Sequence, residues 1–137
     1  MSRANELQRT FEQGVAQHRA GQLGEAERCY RRVLAQAESH EQALFLLAAI
    51  ALETERAQEA ITLLKQLVLL HPSNANYFTN LGEAHRRLGD DENAANALVR
   101  AVALNPDLAE AHFNLGLVTR NLGELDTALQ AFERAAE

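Results

Sequence analysis

Apolar residues recur along the chain at spacings of three and four, and a glycine, an acid or a proline breaks the pattern at regular intervals. From Ala75 to Leu88 the apolar stripe is Phe78, Leu81, Ala84 and Leu88, one face of a helix. Gly89 stops that helix as a C-terminal glycine does. Asp90 caps the next one, whose stripe is Ala94, Leu98, Ala101 and Val102. Asn105-Pro106 ends it, because the proline ring disfavours a helical conformation in the residue before it. No stretch alternates with period two over the length of a strand. The predicted fold class is all-α.

The pattern repeats. NLGEAHRRLGD at Asn80–Asp90 returns as NLGLVTRNLGE at Asn114–Glu124, 34 residues later. After a leader at 1–6, a frame of that length divides the chain into units at 7–40, 41–74, 75–108 and 109–137. Special residues fall in register across the four units. The twentieth position is Ala26, Ala60, Ala94 and Ala128; the eighth is Gly14, Ala48, Gly82 and Gly116. The fifteenth is Gly21, Glu55, Gly89 and Gly123. Two antiparallel helices approach closely only where side chains are small, which accounts for the eighth and twentieth positions. One helix pair cannot bury its apolar face alone, so successive pairs stack around a continuous core.

These residues resemble the tetratricopeptide repeat. The third unit carries its pattern as Phe78, Leu81-Gly82, Ala94, Ala101 and Pro106, with His85 and Leu98 where the family has aromatics. The fourth carries Leu115-Gly116, Ala128, Phe132 and Ala135. The first two units are degenerate: Thr10 and Gln17 replace bulky residues, and Glu38 replaces the proline. The resemblance implies a right-handed superhelix of stacked antiparallel helix pairs, about four repeats with the last truncated. Because the fourth unit stops in mid-pattern at Glu137, the chain reads as the N-terminal part of a longer protein. Its uncapped end is then a surface for self-association.

Composition narrows the function. The net charge of −6 argues against nucleic acid or anionic membrane as a partner. MSRANELQRTFEQ has no apolar signal region, and LFLLAAIAL at Leu44–Leu52 is too short to span a bilayer. A cytoplasmic location is expected, and the single cysteine, Cys29, suits it. Cys29 reads as a surface residue beside Arg28, Arg31 and Arg32. No two of the five histidines sit four apart on one helix, so no metal site is expected. His85 and His112 read as partly buried packing rings. No phosphate-cradling glycine loop occurs, and Asp90-Asp91-Glu92 is explained by helix capping. Neither a cofactor nor catalysis is expected of this chain.

What remains is a surface. The resemblance implies that the first helix of each pair lines a concave groove. Its first half is apolar, with Phe11, Val15 and Phe45 as anchors. Its second half is polar and basic: Thr79, Asn80, Glu83, Arg86 and Arg87, then Phe113, Asn114, Leu117 and Arg120. The expected partner is an extended or helical segment of another protein, with self-association through the apolar half or the uncapped end as a further possibility. Alternatively, the apolar half closes on itself. Asn80 and Asn114 share the sixth position, and an asparagine amide grips a peptide backbone through one donor and one acceptor. That stacking resembles, more weakly, the repeat arm of the O-linked N-acetylglucosamine transferases, where such a ladder holds substrate peptides. The alternative function is therefore the substrate-recruiting or dimerising N-terminal arm of an enzyme such as a bacterial glycosyltransferase.

Overall fold

The computed structural model describes residues 2–137. Its helices are α1 (Arg3–Arg19), α2 (Leu23–Gln36), α3 (Glu41–Glu53), α4 (Ala57–Leu70), α5 (Ala75–Arg87), α6 (Asp91–Leu104), α7 (Ala109–Asn121) and α8 (Leu125–Ala136). Among the described residues there is no strand. Packing runs between consecutive helices, α1 on α2, α2 on α3 and so on to α8. The result is a tetratricopeptide-type stack of antiparallel helix pairs.

Local chemistry sets the boundaries. Ser2, His40, Asn74 and Asp90 each accept a hydrogen bond from the backbone N–H three residues on, which satisfies an orphan donor at the start of a helix. Within each pair the turn is closed by a bond reaching five residues back. The N–H of Gln22 donates to Gln17, that of Arg56 to Ala51, that of Asp90 to His85 and that of Glu124 to Thr119. This geometry needs a left-handed residue at the preceding position, and Gly21, Gly89 and Gly123 supply it with φ of 79°, 76° and 82°. Glu55 takes the same conformation at φ 61° without being glycine. The pairs end alike too. Asn105 is extended before its proline, and His71 before Pro72 and Ala37 before Glu38 leave the helix with similar φ of −133° and −139°, so the first unit makes that exit without a proline.

Close helix approach explains the small eighth position. A Cβ on Gly82 would lie 2.5 Å from Leu98 Cγ, and one on Gly116 would lie 2.5 Å from the Phe132 ring. The core is continuous along the stack. Phe11, Tyr30, Val33, Leu47 and Ile50 pack the first pairs together; Leu44, Leu64, Leu67 and Leu81 fill the middle; Leu98, Leu115 and Val118 fill the end. Consecutive first helices thus stand side by side and present equivalent positions on one face.

Candidate functional site

Stacking brings Phe11 of α1 and Phe45 of α3, both at the fifth position of their units, to one cleft of about 570 Å³. Tyr30 and Tyr77 complete an aromatic floor, and Val15 and Leu46 add aliphatic walls. The Phe11 ring centroid lies 6.0 Å from that of Tyr30, and the Phe45 centroid 5.3 Å from that of Tyr77. Both phenols are tied. Tyr77 Oη donates to Glu41 Oε2 at 2.5 Å, and Tyr30 Oη is 3.3 Å from His18 Nδ1. Burial pushes both phenol pKa values up, and at Tyr77 the Glu41 carboxylate adds to the effect, so both rings stay neutral. The rim holds His18, Arg19 and Gln42. His18 Nε2 faces Glu53 at 3.5 Å. Among the described residues, no ion pair or side-chain hydrogen bond engages Arg19 or Gln42.

The second half of the face is built differently. Thr79 is only 2% exposed, with its hydroxyl donating to the Ala75 carbonyl at 2.9 Å. Asn80 is half-buried, whereas Asn114, at the equivalent position, is 6% exposed. The two asparagines therefore do not present equal rungs. Burial works to raise the Glu83 carboxyl pKa, but the guanidiniums of Arg86 and Arg87, at 2.8 and 2.9 Å, outweigh it and hold the carboxyl below its usual range. Arg87 also donates to the Leu52 carbonyl at 2.6 Å, bridging α3 and α5. Glu83 thus offsets half of the positive charge expected of Arg86 and Arg87. Phe113 is half-exposed against Phe132, with ring centroids 5.9 Å apart. Leu117 is half-buried beside it, and Arg120 is exposed with no ion pair among the described residues.

Elsewhere the structure corrects one expectation and sharpens two. Cys29 is not on the surface: it is buried, and its thiol donates to Gln17 Oε1 at 3.2 Å. His85 and His112 are buried, more completely than packing rings at a seam require. His112 Nε2 lies 2.7 Å from the Pro106 carbonyl. Burial pushes the His85 pKa down against the pull of Asp90, which keeps that imidazole neutral. Among the described residues no group of three His, Cys, Asp or Glu side chains is arranged to hold a metal ion. No helix among them is long and apolar enough to cross a membrane. Sequence reasoning missed Tyr30 and Tyr77 as parts of the cleft. Their signal was compositional: they are the only two tyrosines of the chain, Tyr30 one helix after Phe11 and Tyr77 two helices after Phe45.

Comparison with known proteins agrees with this architecture. A family model described as tetratricopeptide repeat matches residues 17–82, and one described as TPR repeat matches residues 82–123. No curated protein matches the chain by sequence. Among solved structures, one described as the crystal structure of MamA is 32% identical, with a TM-score of 0.85, over 89% of this chain and 71% of that one. A second MamA structure is 30% identical over 94% of this chain and 70% of its own, with a TM-score of 0.89. MamA from Desulfovibrio magneticus RS-1, residue 41 to its end, shares the fold at a TM-score of 0.89 and 23% identity, over 95% of this chain and 73% of its own.

Proposed function

The chain belongs to the tetratricopeptide-repeat family, a scaffold for protein–protein interaction, and from that premise we propose that its groove holds an extended or helical segment of another protein. Recognition by a groove on a rigid helical stack needs apolar anchors, a few unpaired polar groups and little rearrangement on binding. Phe11, Val15 and Phe45 serve as anchors in the first half. Phe113, Leu117 and Arg120 extend the surface along the second, with Asn80 available for backbone contacts. Glu83, Arg86 and Arg87 act as one ion-paired cluster, still carrying a net positive charge, that fixes the wall between α3 and α5. The observation that carries this reading is the open, aromatic-floored cleft between α1, α3 and α5. An apolar surface of that kind on a soluble protein marks a place where another molecule sits.

The test is capture from host lysate by the wild type, by a groove variant (Val15→Glu with Arg120→Glu) and by a control altered on the exposed side of α6 (Val99→Glu). Partners retained by the wild type and the control but lost by the groove variant are the expected result. Partners lost only with Val99→Glu would move the interaction off the groove.

A further inference from the structure

We propose that the cleft between α1, α3 and α5 is a specificity pocket for paired apolar side chains of a bound peptide, with Arg19 holding an acidic residue beside them. This rests on the groove reading above and deepens it, by saying which half of the groove selects the ligand and through what chemistry.

The size of the cleft comes first. About 570 Å³ lies within the roughly 300–1,000 Å³ of ligand pockets and exceeds what one side chain fills. The floor comes next. Both tyrosines and two of the five phenylalanines of the whole chain line this one cleft. Their hydroxyls are occupied by Glu41 and His18; Tyr77 shows the cleft a little ring surface, while Tyr30, 0% exposed, supports Phe11 from beneath.

Ring faces attract cations as well as apolar groups, so the sign of the ligand has to be decided by the neighbouring charges. The residues lining the cleft include one cation, Arg19, and no carboxylate. Of the acids around it, Glu41 bonds Tyr77 and His71, Glu53 faces His18 and Glu12 accepts from Gln8, so none of them pairs with Arg19. A cationic ligand would meet an uncompensated guanidinium, while an acidic one would pair with it. The cations of the second half, Arg86 and Arg87 on Glu83 and the exposed Arg120, lie outside the lining of this cleft. The occupant is a peptide rather than a free amphiphile because Gln42, on the rim and unengaged, supplies one donor and one acceptor at the spacing of a single main-chain amide. The ligand is therefore a segment with two bulky apolar residues and an Asp or Glu within a residue or two of them.

Random dodecapeptides displayed on phage and selected on the immobilised chain provide the probe. Fluorescein-labelled winners are then titrated by polarisation on the wild type, Arg19→Glu, Phe113→Ala/Arg120→Ala and the α6 control Val99→Glu. Arg19 is exposed, and far-ultraviolet circular dichroism checks that each variant stays helical. The expected winners carry apolar pairs beside an acid. Arg19→Glu should weaken them about tenfold or more, while the second-half variant changes them less than about twofold. Replacing the peptide acid by lysine should weaken binding to the wild type and restore it on Arg19→Glu. Winners without an acid, or affinity lost with Phe113→Ala/Arg120→Ala and untouched by Arg19→Glu, would overturn the pocket assignment and leave the groove reading standing. No enrichment at all, or winners lost only with Val99→Glu, would overturn both. A mass that doubles with concentration and is suppressed by Arg19→Glu would make a second copy the occupant, and would sink the peptide assignment.

Discussion

At the turn between α3 and α4 one residue departs from its equivalents, and the departure has an energetic sign. Three of the four turns place glycine in the left-handed region, whereas Glu55 holds φ 61° with a side chain attached. A left-handed L-residue costs roughly 1–2 kcal/mol. Glycine in its place would lose about 0.4–1 kcal/mol more backbone freedom on folding. Relief of strain wins, so Glu55→Gly should stabilise the protein by about 0.5–1 kcal/mol, read as a rise of a few degrees in the thermal midpoint. A variant equal to or less stable than the wild type would mean that the turn carries no strain. The adjacent close approach works the opposite way. Leu98 and Phe132 sit where a Cβ on Gly82 or Gly116 would go, yet Ala48 occupies the same position and is fully packed. The second pair has therefore adjusted to a methyl group that the third and fourth pairs exclude. The recurrence of small residues was visible in the sequence. Which pairs tolerate alanine was not, since that depends on helix separation.

Between helices, charge joins the first two units. Glu27 of α2 accepts from Arg56 at the start of α4, with Nη2–Oε1 at 2.5 Å, and from Arg31 of its own helix at 2.8 Å. Glu59 pairs with both arginines from the α4 side. The hydrogen bond from Arg56, aided by Arg31 and opposed by burial, lowers the Glu27 pKa from 4.5 to about 2. Because the folded pKa lies below the unfolded one, the carboxylate stabilises the fold fully above about pH 4.5, and that contribution fades as the pH falls towards 2. The arginines are partly exposed, so screening reduces its worth to about 1–2 kcal/mol. Glu27→Gln should lose that amount in urea unfolding at neutral pH, and its difference from the wild type should close at about pH 2. A gap of the same size at both would mean that shape, not charge, joins α2 to α4. Periodicity made the helices and their caps legible, since Asp90, Gly89 and Pro106 act within a few residues of themselves. The network was hidden because Glu27 and Arg56 meet across a turn and a unit boundary. Cys29 was misplaced for a related reason: nothing near it in sequence announces that Gln17 will cover it. The groove was half legible. Position in the repeat brought Phe11, Val15 and Phe45 together, but it could not foresee that Thr79 turns to its own helix or that Glu83 takes both arginines.

Across the whole stack, the two end faces differ. In α3 the residues packed against the preceding pair are Ala43, Leu47 and Ile50, all fully buried. Their equivalents in α1 are Arg9, Gln13 and Ala16, all exposed, so α1 meets water with a polar or small-residue surface. At the other end, Ile61 of α4 is 3% exposed under the following pair, while its equivalent in α8, Leu129, is 58% exposed and Leu125 is 66% exposed. A head-to-tail chain of copies would have to bury Arg9 and Gln13 of α1 against the leucines of α8, and unpaired polar groups make that costly. The same asymmetry sets a gradient of stability. In a stack held by nearest neighbours, a unit covered on both sides opens less readily than one covered on one side. Units built on α3–α6 share the largest core cluster and have neighbours at both ends. Backbone amides there should exchange slowest with deuterated water. Those of α8 should exchange fastest, because opening it exposes little apolar surface that was not already wet. Those of α1 should fall between, its polar outer face losing nothing to solvent and its inner face holding Phe11 against Tyr30 and Val33. Hydrogen exchange resolved by peptide mass spectrometry reads this order directly. Equal protection from α1 to α8 would mean that the stack opens as one cooperative body, and that coupling along the core outweighs the missing neighbour at each end.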